Sequence, residues 1–370
     1  MKSKTEALYI HIPFCKNICS YCDFKKVIYN EKIANDYFES LFFELEQYKG
    51  NKYKSIYIGG GTPSCINKIL LNYFLKNIAE CFLDEKYKEF TIECNVEDID
   101  EEFLSIITSN KINRLSIGVQ TFNEKFIKLC NRKHTKDQAI HNIVLASNYI
   151  NNISVDMIYA LPLQTTKELK QDIKTICSLP INHISYYSLL VEPNTVFWNN
   201  KIENTPDTIQ ARMYKTIYNT LEKNGFKRYE ISNFAKKKKY QSFHNKIYWK
   251  NLHYDAVGIS ASGYSKNIRY TNTLNINKYI NKIYNHFEIN TLSKEEEMFN
   301  EIMLRLRMDE GLNIINFNRK FNVDFFSKYN EAIKINTNLK TITISKGKIK
   351  TTFKGSLLLN SVLECFLPNE

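Results

Sequence analysis

Apolar residues in the first 225 positions form short strand-like runs, and each run is followed by a longer stretch with helical periodicity. One helical face, for example, repeats every four residues at Ile33, Tyr37, Leu41 and Leu45. The predicted strands cover residues 8–12, 55–58, 90–93, 115–118, 153–157 and 184–189. Six β-α units predict a parallel sheet with right-handed crossovers. An α/β fold, an incomplete TIM-like (β/α)6 barrel, fits better than a doubly wound sheet, because polar residues follow nearly every strand.

The alternation stops after Gly225, which indicates a change of architecture. Residues 236–292 read as a loop-rich connecting segment, so the core barrel is expected over 1–235. The last part, 293–370, predicts a small C-terminal helical, winged-helix-like domain. Its predicted elements are helices over 294–307, 314–321, 324–335 and 355–366, and a hairpin that turns near 346–347.

Three cysteines directly after the first strand are the strongest chemical signal. Cys15, Cys19 and Cys22 form a C-x3-C-x2-C pattern within the run YIHIPFCKNICSYCDF. Zinc sites typically use pairs of ligands two to four residues apart, and the chain contains no second such pair. A [4Fe–4S] cluster is held by cysteine thiolates, usually four of them. We therefore predict a [4Fe–4S] cluster with one open iron, with a structural zinc site as the alternative.

Polar and glycine residues at the ends of later strands predict a ligand site. The run IGGGTP, residues 58–63, offers backbone N–H groups that a ligand can approach closely. Glu93, Gln120, Arg132 and Asp156 lie at or after the ends of successive strands. In a barrel such positions face the active site.

Composition changes this picture little. The chain is 43% hydrophobic and 24% charged, which is typical of globular proteins. Its net charge of +12 suits nucleic acid, an anionic membrane or an acidic ligand, but the basic residues are spread along a chain rich in Lys, so no nucleic-acid partner is expected. The six other cysteines are scattered singly, which favours a reducing cytoplasmic setting. No signal peptide and no apolar run of about 20 residues is recognised.

The motifs, in their order, resemble the radical S-adenosylmethionine (SAM) superfamily, and most closely its branch of coproporphyrinogen oxidases and heme chaperones. The motifs that carry the resemblance are YIHIPFC, IGGGTP, SIGVQTF followed by N-R-x-H, and D-x-I-x-x-L-P. The resemblance implies that the amino and carboxylate groups of SAM chelate the open iron. It also implies SAM-binding roles for eight residues: Tyr9, Gly60, Gly61, Thr62, Glu93, Gln120, Arg132 and Asp156.

Two motifs favour the heme chaperones over the oxidases within this branch. The oxidases typically carry a fourth cysteine, in C-x3-C-x2-C-x-C, where this chain has Phe24. The chaperones resemble this chain in C-D-F and in H-N-x-x-Y-W, which appears here as residues 244–249. The resemblance implies binding of heme and its transfer to acceptor hemoproteins. Imidazole is a common axial ligand of heme iron, so His244, with Tyr248 and Trp249, is the predicted heme site.

Several alternatives stay open at this stage. A hydrogen-bonded histidine is the plain alternative for His244, and a solvated surface is the alternative for lysines 236–239 and Arg228, which could otherwise attract heme propionates. A radical SAM enzyme that acts on a tetrapyrrole is the alternative function, so enzymatic activity is left undecided. Respiratory enzymes are the acceptors that the resemblance suggests, and with them peripheral membrane contact. A homodimer is neither favoured nor disfavoured.

The chain also departs from the branch pattern. Val96 replaces a proline after the third strand, and Ala160 replaces a glycine after the fifth. In the segment that is G-I-G-x-G-A in the branch, Ser260 and Ser262 replace glycines. Loss of glycine where backbone approaches a ligand is expected to narrow the pocket or to move the chain.

Overall fold

The computed structural model describes residues 5–368, and strands and helices alternate over the first 225 residues as predicted. The strands, in chain order, are β1 (Ala7–Ile12), β2 (Phe14–Cys15), β3 (Val27–Ile28), β4 (Ser55–Gly60), β5 (Glu89–Asn95), β6 (Arg114–Gln120), β7 (Ile153–Tyr159), β8 (His183–Ser188), β9 (Lys227–Glu230), β10 (Asn233–Ala235), β11 (Tyr254–Val257), β12 (Ser262–Ser265), β13 (Ile268–Thr271), β14 (Glu288–Thr291), β15 (Leu312–Asn313), β16 (Ile342–Ser345) and β17 (Lys348–Thr351).

The helices alternate with these strands and then dominate the C-terminal part. They are α1 (Glu31–Leu45), α2 (Lys68–Phe82), α3 (Glu101–Ser109), α4 (Glu124–Leu129), α5 (Lys136–Ser147), α6 (Thr166–Cys177), α7 (Val196–Asn199), α8 (Asp207–Lys223), α9 (Phe243–Trp249), α10 (Ile276–Ile280), α11 (Lys294–Arg305), α12 (Ile314–Phe321), α13 (Phe325–Lys328), α14 (Asn330–Asn338), α15 (Phe353–Leu357) and α16 (Leu359–Glu364).

Six parallel strands form the centre of the main sheet in the order β1-β4-β5-β6-β7-β8, which is also their order along the chain. This arrangement confirms the predicted (β/α)6 architecture. Buried residues of the strands pack against the surrounding helices in one large apolar core. Because all six strands run in the same direction, their carboxyl ends meet at one end of the barrel.

Both edges of this parallel unit carry strands that the sequence reading missed. The order β14-β13-β12-β11 continues the sheet beyond β1, and β10-β9 continue it beyond β8. Strand β11 runs parallel to β1, whereas the outer strands pair antiparallel. The prediction of a loop-rich segment over 236–292 was therefore wrong for most of it.

Helix α9 lies against the amino-terminal ends of three core strands. The carboxylate of Glu89, the first residue of β5, accepts hydrogen bonds from Ser242 Oγ and from the N–H groups of Phe243 and His244. A carboxylate at a helix N-terminus satisfies free N–H donors and interacts favourably with the helix dipole. A neighbouring contact, from Arg114 at the start of β6 to the carbonyl of Tyr240, holds the segment before the helix.

The C-terminal part has its own apolar core, built from α11, α12, α13, α14, α16 and the three-stranded sheet β15-β17-β16. Helices α11 and α12 and the hairpin that turns at 346–347 lie where the sequence predicts them, whereas the other two predicted helices are each split in two. An ion pair of 2.7 Å between Arg228 and Asp309 joins this part to the barrel. Among residues 5–368, no helix combines the length and apolar character that a membrane crossing requires.

The two serines that replace branch glycines have different backbones. Ser260 has a φ of +56°, in the left-handed region, and its N–H donates to the carbonyl of Thr273. Ser262 is an ordinary strand residue in β12, where its hydroxyl contacts that of Thr271 at 2.9 Å. The backbone at position 260 therefore keeps a glycine-like conformation, which is strained because serine has a side chain there.

We expect Ser260→Gly to stabilise the protein by about 0.5–1 kcal/mol, because the left-handed region costs a non-glycine residue roughly 1–2 kcal/mol and added freedom of the unfolded chain offsets part of the gain. Ser262→Gly is the matched control and should lower stability, since glycine weakens a strand interior. Urea unfolding of both variants measures the difference. Equal effects of the two substitutions would contradict the assignment of strain to position 260.

Candidate functional site

The three cysteines and seven of the eight predicted SAM residues line one chamber, which extends through the barrel interior to its carboxyl end. Its volume is about 420 Å³. Cys15 lies in β2 and is buried, whereas Cys19 and Cys22 are half-buried in the loop that follows. The other predicted residues in the chamber wall are Gly60, Gly61, Thr62, Glu93, Gln120, Arg132 and Asp156.

The glycine run at the end of β4 is needed for protein packing. A Cβ on Gly61 would lie 2.6 Å from the carbonyl oxygen of Phe14, and a Cβ on Gly60 would lie 2.6 Å from the imidazole of His11. A Cβ on Gly59 would meet Glu93 at 2.8 Å. Instead, the backbone N–H groups of Gly61 and Thr62 donate to the carbonyls of Ile12 and Phe14. The glycines thus let β4 approach the start of the cysteine loop closely enough to hold it by backbone hydrogen bonds.

A hydrogen-bond network connects two of the sulfur atoms to the chamber wall. Thr62 Oγ1 donates to Cys15 Sγ at 3.6 Å, and Arg132 Nη1 donates to Cys19 Sγ at 3.4 Å. Asn95 joins these two donors, because its Nδ2 donates to Thr62 Oγ1 and its Oδ1 accepts from Arg132 Nη2 at 2.9 Å. Arg132 also donates to the carbonyl of Gly118, and its buried Nε has no hydrogen-bond partner.

Two carboxylates lie deeper in the chamber. Glu93 accepts from Tyr57 Oη at 2.6 Å and from the N–H of Gly60 at 3.0 Å, while Asp156 accepts from Ser116 Oγ at 3.0 Å. Burial raises the pKa of Glu93 to about 7, although the hydrogen bond from Tyr57 opposes this shift. Burial also raises the pKa of Asp156. Carboxylates that are costly to ionise when the chamber is empty are suited to a cationic or hydrogen-bond-donating ligand.

The donor set around the cysteines fits an iron–sulfur cluster. Burial raises the pKa of the Cys15 thiol to about 11, and it also raises that of Cys22. Iron binding removes these protons, and the N–H and O–H donors aimed at Cys15 and Cys19 suit thiolates. Within residues 5–368, no group of three or more His, Cys, Asp or Glu side chains converges as the ligands of a single metal ion would.

Tyr9, the eighth predicted SAM residue, lies outside the chamber and lines a neighbouring groove. Its hydroxyl is 2.9 Å from His11 Nδ1, and His11 Nε2 is 3.2 Å from the carbonyl oxygen of Lys25. A carbonyl can only accept, so Nε2 carries the proton and Nδ1 accepts from Tyr9. Tyr9 reaches the chamber wall indirectly, through His11, which packs against Gly60, and through the ring of Tyr57, whose centroid lies 6.2 Å from its own.

The residues of the H-N-x-x-Y-W motif form helix α9, whereas the sequence predicts a loop there. His244 is buried, and both of its ring nitrogens are engaged: Nδ1 with Ser55 Oγ at 2.9 Å and Nε2 with Tyr248 Oη at 2.6 Å. Burial lowers the pKa of His244 to about 3, so the ring is neutral. Trp249 packs near Arg307, and its buried Nε1 has no hydrogen-bond partner. The heme role of these three residues stays a prediction.

The basic residues considered for heme propionates do not join this motif. Arg228 donates to Tyr214 Oη and Ser356 Oγ in addition to its pairing with Asp309. Lysines 236–239 are exposed and follow β10 near the amino-terminal ends of the core strands. Arg228 is therefore held by contacts within the protein, and lysines 236–239 face solvent.

Some residues of the chamber were missed although a simple signal was present. Tyr57 and Asn95 lie two residues from the recognised Gly59 and Glu93, on β4 and β5. Side chains two apart on a strand share a face, so both could have been assigned to the chamber. Asn245 and Ser242 of the α9 segment also line the chamber, but only the fold brings them there.

The chain matches the profiles of two known protein families. The profile of the Radical SAM superfamily matches residues 9–176, and that of the HemN C-terminal domain matches residues 292–358. The solved structure of coproporphyrinogen III oxidase (HemN) from Escherichia coli, a radical SAM enzyme, superposes with a TM-score of 0.85 over 98% of this chain and 90% of that chain. Sequence identity in this superposition is 19%, so the likeness concerns the fold.

Curated relatives match along almost the entire chain. The heme chaperone HemW of Lactococcus lactis is 37% identical and covers 99% of this chain and 98% of its own length. The heme chaperone HemW of Bacillus subtilis is 33% identical and covers 98% of this chain and 99% of its own length. This extent of similarity, together with a chamber that collects the superfamily motifs, shows that the chain belongs to the HemW family of the radical SAM superfamily.

Proposed function

We propose that the chain is a heme chaperone that carries a [4Fe–4S] cluster and SAM and transfers heme to acceptor hemoproteins. The near-full-length similarity to HemW proteins is the observation that carries this proposal. The side chains support the cofactor part of it, because the three thiols share one chamber with the residues predicted to bind SAM.

Cys15, Cys19 and Cys22 would hold the cluster, which supplies an open iron able to chelate SAM. Arg132 stabilises negative charge beside Cys19 and keeps one buried N–H free for a further acceptor. Glu93 and Asp156 offer carboxylate oxygens to the ammonium and hydroxyl groups of SAM. The chain thereby binds and orients SAM through a positively charged guanidinium and two negatively charged carboxylates.

An oxidase that acts on a tetrapyrrole is the second candidate, because the motifs belong to a branch that also contains such oxidases; the structural likeness to HemN concerns the fold alone. Phe24, in the position of the fourth oxidase cysteine, is 64% exposed at the chamber mouth. A phenyl ring offers no thiol there, so we favour the chaperone. We further propose respiratory enzymes as acceptors, with peripheral membrane contact at delivery and a cytoplasmic location, and the homodimer stays undecided.

We expect Cys15→Ala, Cys19→Ala and Cys22→Ala each to abolish cluster assembly, because three thiolates are the fewest that hold a site-differentiated cluster. Cys65→Ala is the matched control: its thiol is buried close to Cys15 but lies outside the chamber wall. Anaerobic reconstitution followed by iron and sulfide analysis and EPR measures the outcome. Retention of a [4Fe–4S] signal in any of the first three variants would refute the ligand assignment.

We expect Glu93→Gln to lower SAM affinity by about tenfold or more, since a charge-assisted hydrogen bond contributes roughly 1.5–3 kcal/mol. The same change should stabilise the ligand-free protein at about pH 8, because a carboxyl whose pKa is raised in the fold destabilises the fold as pH rises from about 4.3 towards the folded value. This stabilisation should disappear near pH 4.

Calorimetric SAM titration and thermal unfolding measure the two effects of Glu93→Gln. Glu203→Gln, which changes an exposed carboxylate outside the helices and strands, is the control and should alter neither. A Glu93→Gln variant with unchanged SAM affinity would remove Glu93 from the SAM site.

We expect the reconstituted protein to bind heme stoichiometrically and to pass it to an apo-hemoprotein. Incubation with dithionite, SAM and coproporphyrinogen should yield no protoporphyrinogen, because the chain lacks the fourth cysteine of the oxidase pattern. Absorbance titration, heme-transfer kinetics and product chromatography decide between the two candidates. Formation of protoporphyrinogen by this protein would replace the chaperone proposal with the oxidase.

A further inference from the structure

Asn95 is the last residue of β5, and its side chain lies in the wall of the cofactor chamber between two groups that donate to sulfur. One is the hydroxyl of Thr62, which lies 3.6 Å from Cys15 Sγ. The other is the guanidinium of Arg132, which lies 3.4 Å from Cys19 Sγ. Both donors are buried, and they come from separate parts of the chain. The amide of Asn95 is the group that joins them.

The orientation of the Asn95 amide follows from these two neighbours. A guanidinium can only donate, so the amide oxygen faces Arg132, with Oδ1 2.9 Å from Nη2. The NH2 group then faces Thr62 Oγ1, at 3.2 Å. Because an NH2 group also only donates, the threonine hydroxyl must direct its own proton elsewhere, and Cys15 Sγ accepts it. Asn95 therefore sets the direction of the hydroxyl proton as well as the position of the guanidinium.

The backbone at Asn95 is held against the cysteine loop by a second set of contacts. Its N–H donates to Ser64 Oγ at 3.3 Å, and Ser64 Oγ donates to Asp98 at 2.8 Å. Asp98 also pairs with Lys16, the loop residue after Cys15, at 2.8 Å. The fold thus fixes the amide before any cofactor binds, which is the requirement for a group that positions others.

We propose that Asn95 is a positioning residue that sets the reduction potential of the cluster held by the three cysteines. The inference rests on the cluster part of the proposed function. Reduction adds one electron, supplied by an external low-potential donor such as dithionite, and hence one negative charge. Hydrogen bonds to the sulfurs stabilise that charge and raise the potential. By directing Thr62 and Arg132 at two of the sulfurs, Asn95 favours the reduced state.

The two closest substitutes in size show why an amide is needed at position 95. Aspartate has an oxygen where the NH2 group stands, so the hydroxyl of Thr62 would donate to it and turn away from Cys15. The added carboxylate would also offset the charge of Arg132 beside Cys19. Leucine has a similar volume and would break both hydrogen bonds.

Direct binding of SAM is the competing interpretation of Asn95, because the residue forms part of the chamber wall. Its oxygen and one of its N–H groups are already engaged by Arg132 and Thr62. The two interpretations differ when SAM is absent. A positioning role alters the potential of the SAM-free cluster, whereas a SAM contact alters only the affinity for SAM.

The test is a measurement of cluster potential in the reconstituted full chain without SAM, by EPR at a series of controlled potentials. Asn95→Asp and Asn95→Leu should each make reduction at least about tenfold less favourable, which is a decrease of about 59 mV for one electron. Thr62→Val should give part of this decrease. Thr62→Ser, which keeps the hydroxyl, should retain the wild-type potential.

Asn152→Asp is the matched control. Asn152 precedes β7, and its Oδ1 accepts from Arg114 Nη1 at 3.0 Å, near the amino-terminal ends of the core strands. The substitution changes the same kind of amide–guanidinium pair and adds the same charge, but at the end of the barrel remote from the sulfurs. It should leave the potential unchanged.

The outcomes separate this inference from the proposed function. Wild-type protein that assembles no cluster would refute the cluster part of the proposed function itself. Clusters of equal potential in wild type and the Asn95 variants would overturn the positioning role and leave the proposed function intact. Weaker SAM binding with an unchanged potential would assign Asn95 to SAM instead. Iron content and unfolding temperature verify loading and folding, and Asn95→Asp and Thr62→Val carry the comparison if Asn95→Leu loses the cluster.

Discussion

The close contact between the glycine run of β4 and the start of the cysteine loop is the constraint on which the site depends. The N–H groups of Gly61 and Thr62 donate to carbonyls on either side of Pro13, and no side chain fits at position 61. This contact fixes Cys15 against the barrel mouth and brings the Thr62 hydroxyl to its sulfur. The glycines therefore act first on the protein's own backbone, and the ligand site follows from that packing.

The chamber built on this contact contains ionisable side chains whose charged forms find too few partners within the protein. Glu93 and Asp156 are buried carboxylates that are costly to ionise, and Arg132 keeps an unpartnered N–H. A buried polar group without a partner costs free energy. Such a site is poorly suited to stability and well suited to a zwitterionic ligand, which supplies partners for both signs of charge at once. The binding free energy of the ligand then includes the relief of this cost.

The barrel could be predicted because short apolar-rich runs alternate with stretches of helical periodicity along the chain. The predicted residues at strand ends share one chamber because the carboxyl ends of parallel strands meet at one end of the barrel. Strands β9–β14 were missed because they are three or four residues long and carry no clear alternation. Helix α9 was missed because seven residues do not form a stable helix alone. Its stability comes from Glu89, which is remote in sequence. The groove beside the loop likewise depends on contacts between distant segments.

The cysteine loop is the common wall of the chamber and of the neighbouring groove that Tyr9 lines, because Ile18, Phe24 and Lys26 contribute to both. Ligands on its two sides are therefore not independent. Lys26 donates to the carbonyls of Cys22 and Phe24, which ties the last cluster ligand to the exposed ring that faces the groove. A change in the loop at Cys22 would therefore be transmitted to Phe24 through Lys26. By thermodynamic linkage, a ligand in the groove must influence the chamber by the same coupling free energy. Such a shared wall is a physical route by which the cofactor can set the affinity of the protein for a second ligand.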